Sequence, residues 1–288
     1  MAEWFKVLPT VLLGAEHKGK SGDWLARGKT SSRAGLENQR RGNPSVASNP
    51  TSSANVRFGW KADISPIRVR PGGKMPRPHD KIIADAAKAA LGPLDFRRKG
   101  RSRTWFSDHG WWLTVVEFQP SAWSKGCYLN VAAHWLWSEV DSMSFDFGGR
   151  VQEHVEYLSD EQFAPAASRL AEKAANEAQR FTEMFTSLDV TADILVNEER
   201  IARGHDAGGW MAYNAGVIAA LDGRTDDATE MFDRVLCGPA PPGSVLHASA
   251  KRMAHLAADA VNFRGEVASL VARQRGELKL PTLNQSEF

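Results

Sequence analysis

Trp111-Trp-Leu-Thr-Val-Val-Glu-Phe-Gln119 and Tyr128-Leu-Asn-Val-Ala-Ala-His-Trp-Leu-Trp-Ser138 are the two stretches whose reading decides the fold. Aromatic and β-branched residues crowd both, the composition that suits a pleated strand. In the second stretch Leu129, Val131, Ala133, Trp135 and Trp137 share one side, while Tyr128, Asn130, Ala132, His134 and Leu136 share the other. The first set predicts a core face and the second a half-polar face. In the first stretch Trp112, Thr114, Val116 and Phe118 alternate with Trp111, Leu113, Val115 and Glu117. Both sides are apolar there, as in a central strand covered on both faces. Pro120 to Gly126 breaks one stretch from the other. A third extended run, Phe96 to Ser107, precedes them across the turn signal Ser107-Asp-His-Gly110. Connections this short predict antiparallel pairing, a three-stranded β-meander.

Helical periods flank these runs. Ile82, Ile83, Ala86, Ala87, Ala90 and Leu91 predict a helix over 79–91, stopped by Gly92 and Pro93. After the meander, Phe145-Asp-Phe-Gly-Gly149 reads as a loop. Ser159-Asp-Glu-Gln162 is a capping box, opening a helix to about Ser187 with Phe163, Ala167, Leu170, Ala174, Ala178, Phe181, Met184 and Leu188 on one face. Residues 190–276 read as helical, with Gly204 and Gly223 ending segments and Thr225-Asp-Asp227 starting one. Tyr213-Asn-Ala-Gly216 through Ala228, Phe232 and Pro241 resembles a single tetratricopeptide unit, and with no second unit it predicts a helical hairpin. A further helix pair spans about 244–260 and 263–276. The fold class is therefore α+β: an antiparallel β-meander packed by helices over 75–190, followed by an α-helical C-terminal region over 191–280.

The first quarter of the chain differs. Residues 1–74 carry 13 Lys and Arg against 5 Asp and Glu, and the remainder 23 against 29. Lys18 to Pro71 is rich in Gly, Ser, Asn, Arg and Pro and holds no sustained period, so a disordered N-terminus is expected. Asn55-Val-Arg-Phe-Gly-Trp-Lys-Ala-Asp-Ile64 resembles translated intergenic sequence of high-GC bacteria. Met75 then opens the patterned region at once, and the expectation is that residues 1–74 are an over-extension of the gene.

Over residues 79–190 the pattern resembles the bacterial family known as domain of unknown function 4304. The resemblance rests on Asp80-Lys-Ile-Ile83, on Gly92 before Phe96-Arg-Arg-Lys-Gly100, and on Arg103-Thr-Trp-Phe106. It continues in Trp112-Leu-Thr-Val-Val-Glu-Phe-Gln119 and Tyr128-Leu-Asn-Val131. It implies the same α+β fold and carries over no function.

Chemistry-bearing motifs are scarce. The sequence contains no Gly-rich phosphate loop, no dinucleotide fingerprint, no Gly-x-Ser-x-Gly elbow and no His-Glu-x-x-His. No cofactor and no metal site are expected. Cys127 and Cys237 stand 110 positions apart with no Cys-x-x-Cys partner, as reduced thiols of a cytoplasmic protein do. No apolar run approaches the roughly 18 residues of a membrane span, so no membrane partner is expected. The acidic balance after residue 74 argues against a phosphate backbone, so no nucleic acid is expected either.

Two features stand out. His134 shares its strand face with Tyr128 and Asn130, and with Trp112 these residues outline a speculative small-molecule or catalytic pocket. Glu117 has Arg97, Arg98, Lys99 and Arg103 as possible cross-strand partners. The other feature is aromatic density: Trp105, Phe106, Trp111, Trp112, Phe118, Trp123, Trp135 and Trp137 fall within 33 residues. A small sheet cannot bury so many indoles on one side, and exposed Trp marks recognition surfaces. The favoured function is a non-enzymatic protein-interaction or accessory domain with an unidentified protein partner. The alternative is a small-molecule-binding protein or enzyme with a pocket near His134.

Overall fold

The computed structural model describes residues 78–139, 142–203 and 207–283. The expectations for residues 1–74 and for a helix stop at Gly204 lie outside the described residues. Helix α1, Pro78–Leu91, buries Ile83, Ala87 and Leu91, one face at a spacing of four, as the period predicts. A single 3-10 turn over Gly92–Leu94 ends it, with Pro93 in its first turn.

The sheet has five strands in simple meander order, every neighbour antiparallel: β1 Arg97–Arg98, β2 Thr104–Asp108, β3 Trp112–Pro120, β4 Gly126–Trp135 and β5 Phe147–Glu156. The fold class read from the sequence stands, with two corrections to its strands. The run 96–107 is not one strand: Ser102 N–H donates to the Lys99 carbonyl at 3.0 Å, and this turn folds β1 back on β2. The stretch 145–149 is not a loop: Phe147, Gly148 and Gly149 begin β5, opposite Ala133, Ala132 and Val131. Gly148 has φ +102°, and a Cβ there would lie 2.6 Å from the Val131 carbonyl oxygen and 2.7 Å from the Phe181 ring. The glycine that reads as a turn signal instead lets strand and helix approach.

Trp112 faces Trp135 across the β3–β4 ladder, so the two indoles share a sheet face. Helix α2, Asp160–Met184, covers this face. It is capped as expected by Ser159, whose Oγ accepts from Gln162 N–H, while Gln162 Oε1 accepts from Leu158 N–H. Phe185, just beyond α2, meets Trp112, Trp135 and Phe147 edge-on at 5.1–5.3 Å. Trp111 lies outside the strand alternation. It sits in the preceding bend and lies nearly parallel to Trp135 and Trp137, its centroid 5.7 and 5.5 Å from theirs.

Five helices follow: α3 Leu188–Ile201, α4 Trp210–Leu221, α5 Thr225–Leu236, α6 Val245–Leu256 and α7 Ala260–Glu277. Helix α4 is apolar all round and is buried among its neighbours. At Gly216 a Cβ would stand 2.7 Å from the Phe232 ring of α5, so the Gly-and-Phe pattern of the hairpin reflects a close helix crossing. A single apolar core runs from α1 through the sheet into α7. Polar bonds stitch the same junction. Trp137 Nε1 donates to Asn214 Oδ1 at 3.0 Å, Arg252 meets Glu139 at 2.6 Å, and Arg275 meets Asp108 at 2.8 Å. Among the described residues no helix is long and apolar enough to cross a membrane. Both cysteines are free: Cys127 is buried in β4, where burial pushes its thiol up to about 11, and Cys237 is exposed after α5.

Candidate functional site

The four residues singled out on the sheet do not share one place. Trp112 lies on the face covered by α2, buried, with the His109 ring stacked on it at 4.0 Å. Cross-strand register places Tyr128, Asn130 and His134 on the opposite face, opposite Gln119, Glu117 and Leu113 respectively. Four residues of extended chain, about 13 Å, separate Asn130 from His134.

At one end of this second face a polar network closes on itself. Asn130 Nδ2 donates to Glu117 Oε2 and to Gln119 Oε1, both at 3.0 Å. Arg150, which β5 places opposite Asn130, donates through Nε to Asn130 Oδ1 and through Nη2 to Gln119 Oε1, both at 2.8 Å. Its guanidinium lies 4.1 Å over the Tyr128 ring. Burial pushes the Glu117 carboxyl above its usual range, and Asn130 and the Arg150 charge hold it back. Glu117 therefore works with Asn130 and Arg150, not with the arginines of the first hairpin. Arg103 instead pairs with Asp80 of α1 and donates to the Gly126 carbonyl. Arg150 covers the Tyr128 ring and occupies the acceptors of Asn130 and Gln119, the groups a ligand at that point would use.

At the other end His134 is fully buried. Its Nδ1 lies 3.0 Å from Asp146 Oδ2 and 3.0 Å from Ser144 Oγ. Asp146 also accepts from Trp135 N–H at 2.8 Å and from the Ser144 hydroxyl at 2.7 Å. The carboxylate thus orients the imidazole and ties the β4–β5 connection to the strand. Nε2 is buried, with no hydrogen-bond partner among the described residues. This is a bracing arrangement, with the free ring nitrogen shut away from solvent.

A different place on the molecule is open. The β3–β4 hairpin, Pro120 to Gly126, carries Trp123 with 95% of its surface exposed, the most exposed large apolar side chain among the described residues. The loop is held rigidly. Ser121 Oγ accepts from Trp123 N–H at 3.1 Å and from Ser124 N–H at 3.3 Å. Ser124 Oγ lies 3.2 Å from His154 Nε2, and Tyr157 N–H donates to the Lys125 carbonyl at 3.1 Å. Beside Trp123 is a hollow of about 460 Å³ lined by His79, Ser121, Ala122, Ser124, Lys125 and Tyr157. The His79 ring packs on Tyr157 at 4.9 Å, and Leu158, next along the chain, is 71% exposed. Trp123 and Tyr157 therefore line one hollow at the end of the sheet. In the sequence Trp123 is one of eight clustered aromatics. Its position inside the Pro120–Gly126 break, away from any strand alternation, is the signal that separates it from the other seven.

No protein-family model, no curated protein and no solved structure matches this chain. The resemblance of residues 79–190 to domain of unknown function 4304 gains no support from these comparisons, and the functional reading rests on the geometry alone.

Proposed function

We propose that this protein is a non-enzymatic interaction domain that captures a protein partner on the patch around Trp123 and Tyr157. The observation that carries this reading is Trp123 itself. Placing an indole almost wholly in water forgoes roughly 2 kcal/mol or more of burial free energy, and the loop around it is braced by four backbone and side-chain hydrogen bonds. An aromatic anchor on a preorganised loop, beside a concavity, is the composition of an interface hot spot. No comparable observation favours a pocket at His134, whose free nitrogen is sealed, or at Tyr128 and Asn130, which Arg150 occupies.

A photo-crosslinking amino acid at position 123, expressed in the native host, tests the reading. One dominant covalent adduct is expected, and none from the same label at Val261, another strongly exposed position, on α7. Equal or absent labelling at the two positions would discard the proposal. Trp123→Ala should leave thermal stability within about 0.5 kcal/mol, because the side chain buries almost nothing.

A further inference from the structure

We propose that Glu199 is a proton-operated latch between the end of α3 and the start of α4, closed while its carboxyl is neutral and released when the carboxyl ionises. Glu199 has none of its surface exposed. Its Oε1 accepts from Gly208 N–H at 2.8 Å, and Gly208 leads into α4 through the N-cap Gly209. Its Oε2 is buried with no hydrogen-bond partner among the described residues. A carboxylate served by a single N–H in such a place is poorly solvated. The neutral carboxyl keeps the Gly208 bond and leaves only a hydroxyl unpaired, a smaller cost than a buried charge. The contact is also tight. Gly208 has φ +73°, and a Cβ there would stand 2.6 Å from the Arg234 carbonyl oxygen, while one at Gly238 would stand 2.4 Å from the same oxygen. Gly208 is thus wedged between Glu199 and the end of α5.

Charge reaches Glu199 from few sides. On α5, Arg234 Nη1 lies 3.7 Å from Oε1, but it donates to the Glu199 main-chain carbonyl at 3.0 Å, and its guanidinium also pairs with Glu230 at 3.2 Å. On α3, Arg200 is engaged by Asp227 and Glu230, and Arg203 just beyond donates to the Arg200 and Ala202 carbonyls. Helix α4 carries no charged side chain. His205 and Asp206 lie outside the described residues. Arg234, shared with Glu230, offsets only part of the burial. Burial pushes the Glu199 carboxyl above its usual range, with Gly208 N–H and Arg234 opposing. A carboxyl that holds its proton more tightly in the closed arrangement than in the open one favours closure at low pH. The opening equilibrium should therefore grow as pH rises above about 4.3, by up to about tenfold per pH unit, and level off once the closed form has ionised.

Amide hydrogen exchange followed by NMR on the full chain, between about pH 4.5 and 8 and corrected for intrinsic exchange, tests the latch. Protection of the Gly208 amide should fall as pH rises, while that of Val217 in the middle of α4 should hold. Glu199→Gln keeps an acceptor for Gly208 and cannot ionise, so its protection should stay level across the range. His205→Gln should leave the parent's profile in place. A profile as steep in Glu199→Gln as in the parent, or one flattened by His205→Gln, would overturn the latch. So would a Glu199 carboxyl that titrates at or below about 4.3 in ¹³C NMR of the parent, a measurement that depends on no variant folding.

Discussion

His109 stacks on Trp112 in the β2–β3 turn, and burial pushes its imidazole down to about 4, the adjacent Asp108 opposing. The unfolded chain titrates the same group near 6.5. Between those values the unfolded state binds the extra proton, so stability present above pH 6.5 is lost as pH falls toward 4. The span corresponds to roughly 3 kcal/mol at most. His109→Gln should flatten that part of the stability-versus-pH curve, measured by urea midpoints at pH 7, 5.5 and 4.5. An unchanged slope would show that another group carries the acid sensitivity. Arg150 gives a second residue-scale expectation. Arg150→Met strips the donor from Asn130 Oδ1 and one of the two donors from Gln119 Oε1, at a cost of about 1–2 kcal/mol. It also removes a positive charge that holds Glu117 down, so the Glu117 carboxyl should titrate at higher pH in a ¹³C-detected NMR series. Neither network was legible beforehand. Strand alternation placed Asn130, Tyr128 and His134 on one face correctly, but it cannot say that Arg150, twenty residues on, lands over Tyr128, or that Asp146 seals His134.

Among the elements, the helices were legible because each carries its own signal. Ser159 and Gln162 cap α2 as their spacing predicts, and the small residues of α1 and α2 recur at the period that buries them. Strand β5 was not legible. Its register on β4 slips twice, between Cys127 and Leu129 and again between Leu129 and Asn130, so its residues follow no clean period of two. It also opens on two glycines that mimic a turn. The α4–α5 hairpin shows how a partial repeat-like pattern can still be physically informative. Gly216→Ala puts a methyl group against the Phe232 ring, and with both helices buried the crossing must widen. Urea denaturation should show a loss of about 1–3 kcal/mol. Gly216→Ala combined with Phe232→Leu should recover part of that loss, whereas a loss that persists in full would place the strain elsewhere.

For the molecule as a whole, the decisive fact is that one core crosses from the sheet into the helices. Trp137 joins them, stacked with Trp111 and Trp135 on one side and bonded to Asn214 of α4 on the other. Sheet and helices should therefore unfold together, with tryptophan fluorescence and far-ultraviolet circular dichroism giving coincident transitions. Trp137→Phe removes the donor from a buried acceptor and leaves a void, at a cost of about 2–4 kcal/mol, and should shift both probes equally. Separated transitions would mean that two independent units meet at that point.

The clasp between Arg275 and Asp108 has a consequence for how such a chain is made. Its partners are 167 positions apart, and the same guanidinium also holds the Gly110 and Pro281 carbonyls. During synthesis the β2–β3 hairpin leaves the ribosome long before the residue that locks its turn has been translated. At about 5–20 residues per second it waits on the order of ten seconds or more with an aromatic turn unsecured, an interval in which a nascent-chain chaperone has time to act.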